Sequence, residues 1–278
     1  MAYVYLTIDR GIVEVTNLRR RGRMTMQSTQ LQHYLPMIRS LPNEIEKSDL
    51  INARFLMERS GPLEMYYAPH NEYVNRGARL VIVGITPGWT QMKAAFEQAK
   101  RSIEKGASTT EIEILKNSKR AARFSGTMRN NLIEMLDQCG VQTPFQLGTS
   151  AQLFNDELPL LHTTSLIKYP VFIDGKNYNG HAPKIEQSSL LIEYAFHHFP
   201  QEIAQLSKQD PLLIVPLGKT VSATLQTLIA QGKIGSHHFC LYGFPHPSGA
   251  NGHRKKQFSE AKQRLQQIVQ NYSSKALR

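Results

Sequence analysis

The stretch LVIVGITPGWTQ, residues 80–91, decides the fold class. Its first half is a run of branched apolar residues, which is typical of a strand buried on both faces of a sheet. The run stops at Gly84-Ile85-Thr86-Pro87-Gly88, a rigid turn that carries one small hydroxyl and no charge, and the only tryptophan of the chain, Trp89, follows it. A buried strand that ends in such a turn before a helix predicts an α/β domain with a parallel sheet.

The same alternation of buried strands and helical stretches continues from Arg79 to the end of the chain. Strands are predicted at 79–85, 160–167, 211–216 and 237–243. Helices are predicted at 92–105, 109–121, 127–138, 188–206, 220–231 and 254–271. The pattern therefore predicts a domain over residues 76–278.

Residues 1–75 show only weak periodicity, apart from a helix predicted at 48–59, and we interpret them as an N-terminal extension that is partly irregular. They contain an arginine cluster, which fits either a phosphate-binding arm or a solvated loop: Arg19, Arg20, Arg21 and Arg23.

Composition narrows the class of protein. A chain of 278 residues can bury a large core, and its two cysteines, Cys139 and Cys240, are too few for a disulfide framework or a zinc ribbon. We expect a cytoplasmic protein, since no apolar run approaches the roughly 18 residues of a membrane span and the start lacks the order of a secretion signal. A net charge of +11 favours a polyanionic partner. The sequence does not give the oligomeric state, and a monomer is favoured.

The ends of the predicted strands carry the candidate chemistry, because the ligands of a parallel sheet bind beyond its carboxyl edge. Gly218-Lys219-Thr220 resembles the end of a phosphate loop, but the glycine that such a loop needs five positions before Gly218 is replaced by Leu213. The dinucleotide fingerprint is also absent after Gly84. A nucleotide- or phosphate-handling enzyme is therefore only a distant alternative.

Five stretches, taken in order, resemble the uracil-DNA glycosylase superfamily over about residues 79–270. Gly84 to Gly88 is similar to its first motif, which places the hydrolytic water. RFSGTMRNNLIEML, residues 123–136, resembles the turn whose aromatic ring, here Phe124, stacks on the extruded base. LLHTTSLIKYP, residues 160–170, is similar to the strand that normally presents an asparagine to the base, and LLIVPLGKT to an apolar strand with a Leu-Gly turn. FPHPSGANGHR, residues 244–254, resembles the second catalytic motif and its duplex-wedging loop.

The resemblance implies a three-layer α/β/α fold with a central, mainly parallel four-stranded sheet, and the activity of a DNA glycosylase. It also implies a set of site residues. The base-binding candidates are Phe124, Thr164, Ser165, Gly84, Ile85 and Pro87. The DNA-binding candidates are Ser248, Gly249, Asn251, His253, Arg254 and Lys255.

These residue types fit the chemistry of N-glycosidic bond hydrolysis, in which the departing base gains negative charge. His246 can donate a hydrogen bond to that charge, and the prolines on either side restrict its ring. Phe124 offers a face for stacking. Each candidate has an ordinary structural alternative. His246 would be a histidine satisfied within its loop, and Phe124 would be a core phenylalanine. The predicted duplex-wedging loop at 249–252 would be a bare surface loop.

The sequence departs from the better-known branches of the superfamily at Thr86, where they carry Asp, Asn or Glu. A neutral hydroxyl positions water but does not act as a base near neutral pH. Asp174 is the first candidate for a carboxylate supplied from elsewhere, and Asp156 is the second. With Thr164 and Ser165 in place of an amide, the site fits plain uracil poorly. We therefore expect a modified or enlarged base as substrate, such as a modified cytosine in invading phage DNA.

No cofactor or metal is expected. The histidine pairs at 197–198 and 237–238 occupy adjacent positions that do not face a common point, and no carboxylate or cysteine completes a set. The leading prediction is a metal-independent, monofunctional DNA glycosylase, with His246, Thr86 and Asp174 as catalytic candidates. The main alternative is a catalytically silent module that binds DNA and senses a base.

Overall fold

The structure, a computed structural model, describes residues 30–106, 109–155, 158–206 and 210–276. The arginine cluster at 19–23 and Asp156 lie outside the described residues. Within them the α-helices are α1 (Leu31–Arg39), α2 (Lys47–Leu50), α3 (Trp89–Glu104), α4 (Glu111–Ala122), α5 (Gly126–Gln138), α6 (Ser189–Ile192), α7 (Phe199–Leu206), α8 (Lys219–Ala230) and α9 (Arg254–Ala276). A π-helical segment, Glu193–His198, joins α6 to α7.

The strands of the described residues form two four-stranded sheets. They are β1 (Leu56–Ser60), β2 (Leu63–Tyr66), β3 (Leu80–Gly84), β4 (Leu161–Ser165), β5 (Val171–Ile173), β6 (Lys176–Asn177), β7 (Leu213–Pro216) and β8 (Phe239–Cys240). Short 3₁₀ helices lie at Pro69–Glu72, Thr143–Phe145, Ser150–Phe154 and Ile185–Gln187.

The central sheet has the order β4-β3-β7-β8, and all of its neighbouring strands are parallel. This confirms the predicted α/β class and the four-stranded parallel sheet. The strand of residues 80–84 is β3, which lies inside the sheet with β4 and β7 on either side. Hydrogen bonding on both edges and burial on both faces explain its unbroken run of branched apolar residues.

Helices cover both faces of the central sheet. Val81 and Val83 point into one core, to which α3, α4 and α8 contribute, whereas Leu80 and Ile82 point into a second core with α5 and α9. The alternation of side chains along a strand separates the two cores. The carboxyl edge of the sheet lies between these helical layers, and the loops that leave it have room to form a site.

The second sheet is antiparallel and has the order β1-β2-β5-β6. The helix predicted at 48–59 is wrong, because α2 ends at Leu50 and residues 56–60 are β1. Asn52 explains the early end of this helix: its amide nitrogen donates to the carbonyls of Ser48 and Asp49, and its oxygen accepts the N–H of Arg54. Such side-chain bonds compete with continued helix.

Residues 30–75 share a core with the central domain, so the predicted boundary at 75 does not divide the hydrophobic core. Tyr34 stacks on Tyr67 with ring centroids 3.8 Å apart, and Phe55 packs edge-on against Phe96 of α3 at 4.9 Å. Strand β2 also pairs with β5, which comes from the other half of the chain. None of the described helices is long and apolar enough to cross a membrane.

Candidate functional site

A cavity of about 970 Å³ opens at the carboxyl edge of the central sheet. Gly84 at the end of β3 pairs with Ser165 at the end of β4, and both residues line the cavity. Nine of the residues predicted from sequence line it together: Gly84, Ile85, Thr86, Phe124, Thr164, Ser165, His246, Ser248 and Asn251. The predicted site residues Pro87, Asp174, Gly249, His253, Arg254 and Lys255 are not among its lining residues.

Thr86 connects two loops through its hydroxyl. Oγ1 donates to the carbonyl oxygen of Tyr169 at 2.8 Å and accepts the N–H of Val171 at 3.1 Å. These bonds fasten the turn after β3 to the start of β5. A carboxylate at this position would repel the Tyr169 carbonyl, so a neutral hydroxyl fits both partners. Local structure therefore explains the uncharged turn.

His246 lies in the loop after β8 and is partly buried in the cavity wall. Its Nδ1 accepts the backbone N–H of Ser248 at 3.3 Å, which places the ring proton on Nε2 in the neutral form. Burial lowers the pKa of His246, which also favours that form. No described residue hydrogen-bonds to Nε2, so this N–H is able to donate to a ligand.

Phe124 lies just before α5 and is partly exposed at the cavity. Its ring also packs against the second core, as expected for the structural alternative, while the residue lines the cavity. Gly126 begins α5 with a φ of +52°, a conformation that a side chain at this position would strain. The Phe-Ser-Gly turn thereby directs the aromatic residue toward the cavity before the helix starts.

The loop at 246–254 is held by its own hydrogen bonds. Asn251 donates to the His246 carbonyl at 3.2 Å, and Arg254 donates to the Ser248 carbonyl at 2.9 Å and to Asn131 of α5 at 3.0 Å. Arg254, predicted from sequence as a phosphate ligand, thus fastens the loop to α5. His253 and Lys255 are exposed beside it and lie free for contact with a phosphate backbone.

Asp174 occupies the turn between β5 and β6, where it is exposed. It has a φ of +48°, and Gly175 follows with +69°. Consecutive positive φ values are the signature of an Asp-Gly hairpin turn. Asp174 therefore shapes a hairpin and does not supply a carboxylate to the cavity.

The segment after this hairpin closes one side of the cavity. The Asn177 side chain accepts the N–H of Trp89 at 3.0 Å, which holds the segment against the first turn of α3. Gly180, with a φ of +84°, lies so close to Ile85 that an added Cβ would come within 2.6 Å of its side chain. A glycine is required there for the segment to approach the turn after β3.

The inner end of the cavity contains three residues that the sequence did not indicate, His70, Asn71 and Lys119, beside the predicted base-binding residue Thr164. His70, Asn71, Lys119 and Thr164 all line it and are at most 5% exposed. His70 and Asn71 belong to the 3₁₀ helix before β3, and Lys119 lies in the last turn of α4. We name these four residues the inner subsite.

Lys119 is the ammonium group of the inner subsite. Its Nζ donates to Asn71 Oδ1 at 2.8 Å, and Asn71 in turn donates to the Lys168 carbonyl at 2.9 Å. Burial lowers the pKa of Lys119 to about 7, although the charge of Glu202 opposes this effect. Both ring nitrogens of His70 and the hydroxyl of Thr164 are buried without a hydrogen-bond partner among the described residues.

A buried carboxylate, Glu202, lies behind this wall. His162 of β4 accepts the N–H of Asn75 at Nδ1, so its Nε2–H donates to Glu202 at 2.9 Å. Burial alone would raise the pKa of Glu202, but this hydrogen bond and the charges of Lys119 and Lys168 lower it to about 2. Glu202 is therefore ionised and already bonded, and it is not a lining residue of the cavity.

Comparison with known proteins finds a relative in Bacillus subtilis, the uncharacterized protein YoxB, which is 45% identical over 251 residues. The match covers 90% of this chain and 96% of YoxB. The chain belongs to the YoxB family. No family model matches it.

One further sequence signal, the Gly-Lys-Thr stretch, can be placed in this member of the YoxB family. Gly218, with a φ of +90°, directly precedes α8 and lies beside His246, and Lys219 and Thr220 line the same cavity. The Gly-Lys-Thr stretch therefore belongs to the wall of this site. Among the described residues, no three histidine, cysteine or acidic side chains come together as metal ligands.

Proposed function

We propose that this member of the YoxB family is a monofunctional DNA glycosylase with a fold like that of the uracil-DNA glycosylase superfamily. It would extrude a base from DNA, hydrolyse its N-glycosidic bond and leave an abasic site. The observation that carries the proposal is that Thr86, Phe124 and His246, which come from three separate motifs, line one cavity. A base that enters this cavity meets an aromatic face and a neutral imidazole donor.

The proposed chemistry depends on stabilising the leaving group. As the glycosidic bond breaks, negative charge develops on the base, and Nε2–H of His246 donates to it. The imidazole stays neutral because Nδ1 already accepts the Ser248 N–H. A fixed donor in a partly buried site needs no reorganisation during the reaction, which is the source of its effect.

The attacking water would be held without a strong base at the turn after β3. Among the described residues that line the cavity, Glu260 of α9 is the one carboxylate, and it is exposed. We therefore infer that departure of the base precedes and dominates the attack of water. A slow reaction on an activated or modified base, such as a modified cytosine of phage DNA, fits this arrangement better than a fast reaction on uracil.

A panel of duplex oligonucleotides with single modified or damaged bases tests the proposal. Release of the free base, with an alkali-labile site left in the strand, is the expected result for at least one base. His246→Ala should slow release by about 100-fold or more, as expected when a transition-state donor is removed. Absence of release across the panel, or full activity of His246→Ala, would contradict the proposal.

A second candidate is a base-sensing DNA-binding module without hydrolysis. The Thr86 hydroxyl favours this candidate, because it already donates to the Tyr169 carbonyl and accepts the Val171 N–H. Both candidates predict DNA binding that weakens steeply with salt. Tight binding to one modified base without any release would select the sensing module.

A further inference from the structure

The inner subsite has more hydrogen-bond donors than it uses. Lys119 has three N–H groups and spends one of them on Asn71. His70 is neutral, because burial and the nearby charge of Lys119 lower its pKa to about 3, and it therefore offers one donor and one acceptor. The hydroxyl of Thr164 adds another donor. A group rich in acceptor oxygens would satisfy this set, whereas a methyl group would leave it unpaired.

The charges around the inner subsite favour an anion. The positive charges of Lys168 and Arg123 both lower the pKa of Lys119, and the negative charge of Glu202 opposes them. Glu202 is engaged by His162 and lies behind the cavity wall. An anion beside Lys119 would pair with an ammonium that burial otherwise penalises.

The subsite lies deeper than Phe124 and His246, the groups that would stack on the base and donate to it. His70, Asn71, Lys119 and Thr164 are at most 5% exposed, whereas Phe124 and His246 are only partly buried. All six line one cavity of about 970 Å³, which is at the upper end of ligand pockets and leaves space beyond a nucleobase. A base stacked near Phe124 would thus direct a ring substituent inward.

We propose that the inner subsite binds an anionic, oxygen-bearing substituent of the extruded base, of the carboxylate class. This proposal rests on the proposed function, which places the extruded base near Phe124. The substrate class that the site selects is then acidic modified bases, in preference to bases with a neutral substituent such as a methyl group.

Free bases test the subsite without any catalysis. Calorimetric titration of the full chain should show 5-carboxyuracil binding at least about tenfold more tightly than thymine, the matched neutral base, since a charge-assisted bond is gained. Lys119→Met should abolish this preference. Thr164→Val, a near-isosteric change, should reduce it by a smaller factor and keeps the test valid if Lys119→Met fails to fold. His246→Ala should weaken both bases alike and leave their ratio unchanged.

Equal affinity of the wild type for 5-carboxyuracil and thymine would overturn the proposal. The same conclusion would follow if inorganic phosphate bound in a Lys119-dependent way while the carboxylated base had no advantage, because the subsite would then take a free anion. A carboxylate preference unchanged in both Lys119→Met and Thr164→Val would overturn it too.

Duplexes that carry 5-carboxyuracil or thymine separate this proposal from the proposed function. Faster release of the carboxylated base, lost in Lys119→Met, supports both. If neither base is released while the free-base preference persists, the glycosylase assignment fails and the subsite stands. If bases are released without any carboxylate preference, the glycosylase assignment stands and the subsite fails.

Discussion

The hydroxyl of Thr86 ties the turn after β3 to the segment at 169–171 through two hydrogen bonds. Thr86→Val keeps the shape of the side chain and removes both, so we expect the free energy of unfolding to fall by about 1–3 kcal/mol in urea denaturation. Thr86→Ser, which keeps the hydroxyl, is the matched control and should lose much less. A Val variant of unchanged stability that no longer releases base would assign the hydroxyl to the reaction.

Lys119 should make stability depend on pH. Its pKa is about 7 in the folded protein, against about 10.4 in an unfolded chain. Between these values the unfolded state binds more protons, so the Lys119 contribution to the free energy of unfolding rises with pH, by at most about 1.4 kcal/mol per unit. Lys119→Met should lack this rise. The test is the difference between wild type and variant in urea denaturation at pH 7 and pH 9; a constant difference would contradict the prediction.

The acid limb of base release should report on His246. Its neutral form accepts the Ser248 N–H at Nδ1, and protonation would remove that acceptor. Because burial lowers its pKa below the ordinary 6.5, activity should persist through pH 6.5 and fall only at lower pH. A pH profile of single-turnover release, corrected for unfolding, measures this. A midpoint at or above 6.5 would contradict the lowered pKa, and release that became faster as the pH fell below 6.5 would show that the protonated imidazole is the active form.

Phe124, His246 and Thr164 were accessible from the sequence, whereas His70, Asn71 and Lys119 of the inner subsite were not. Phe124 and His246 lie in contiguous motifs whose turns are recognisable from glycine and proline. Lys119 has the spacing of an ordinary helical lysine, and only the packing of α4 against the 3₁₀ helix at 69–72 brings it to Asn71. Tertiary contacts between distant stretches leave no local pattern, so the sequence could not indicate this wall.

At the scale of elements, the central sheet was predictable because a strand buried on both faces has a distinctive composition. The hairpin of β5 and β6 was not predicted, although Asp174-Gly175 is a recognised turn pair, because its second strand, Lys176–Asn177, is short and exposed. The same omission made Asp174 seem available for catalysis. Turn chemistry explains the hairpin and the position of Asp174 in it.

At the start of α9, Arg254 makes structural hydrogen bonds, and the exposed Lys255 is the predicted phosphate contact. Lys255→Gln, at an exposed position, should reduce the slope of log affinity against log salt concentration by about 1 if it contacts a phosphate, and should leave stability unchanged. Arg254→Gln should instead lower the unfolding temperature, because it loses the bonds to Ser248 and Asn131. DNA-binding isotherms at several salt concentrations, with thermal melts of both variants, measure the two effects. If Arg254→Gln reduced the salt slope and Lys255→Gln lowered the unfolding temperature, the phosphate contact would be Arg254.

At the scale of the whole molecule, residues 30–75 and the central domain should unfold together, since one core includes both. Phe55 is fully buried and packs against Arg54, Tyr34 and Phe96 of α3. We therefore expect Phe55→Ala to lower the free energy of unfolding by about 3–5 kcal/mol. Trp89, the only tryptophan, begins α3 and reports on the turn after β3. In Phe55→Ala, the unfolding midpoints followed by Trp89 fluorescence and by far-ultraviolet circular dichroism should therefore shift together to lower urea concentration, as a single transition. If part of the dichroism of Phe55→Ala were lost at low urea while the Trp89 fluorescence kept its wild-type midpoint, residues 30–75 would be a separate folding unit. The inner subsite, which takes His70 and Asn71 from these residues, would then assemble only after that unit docks.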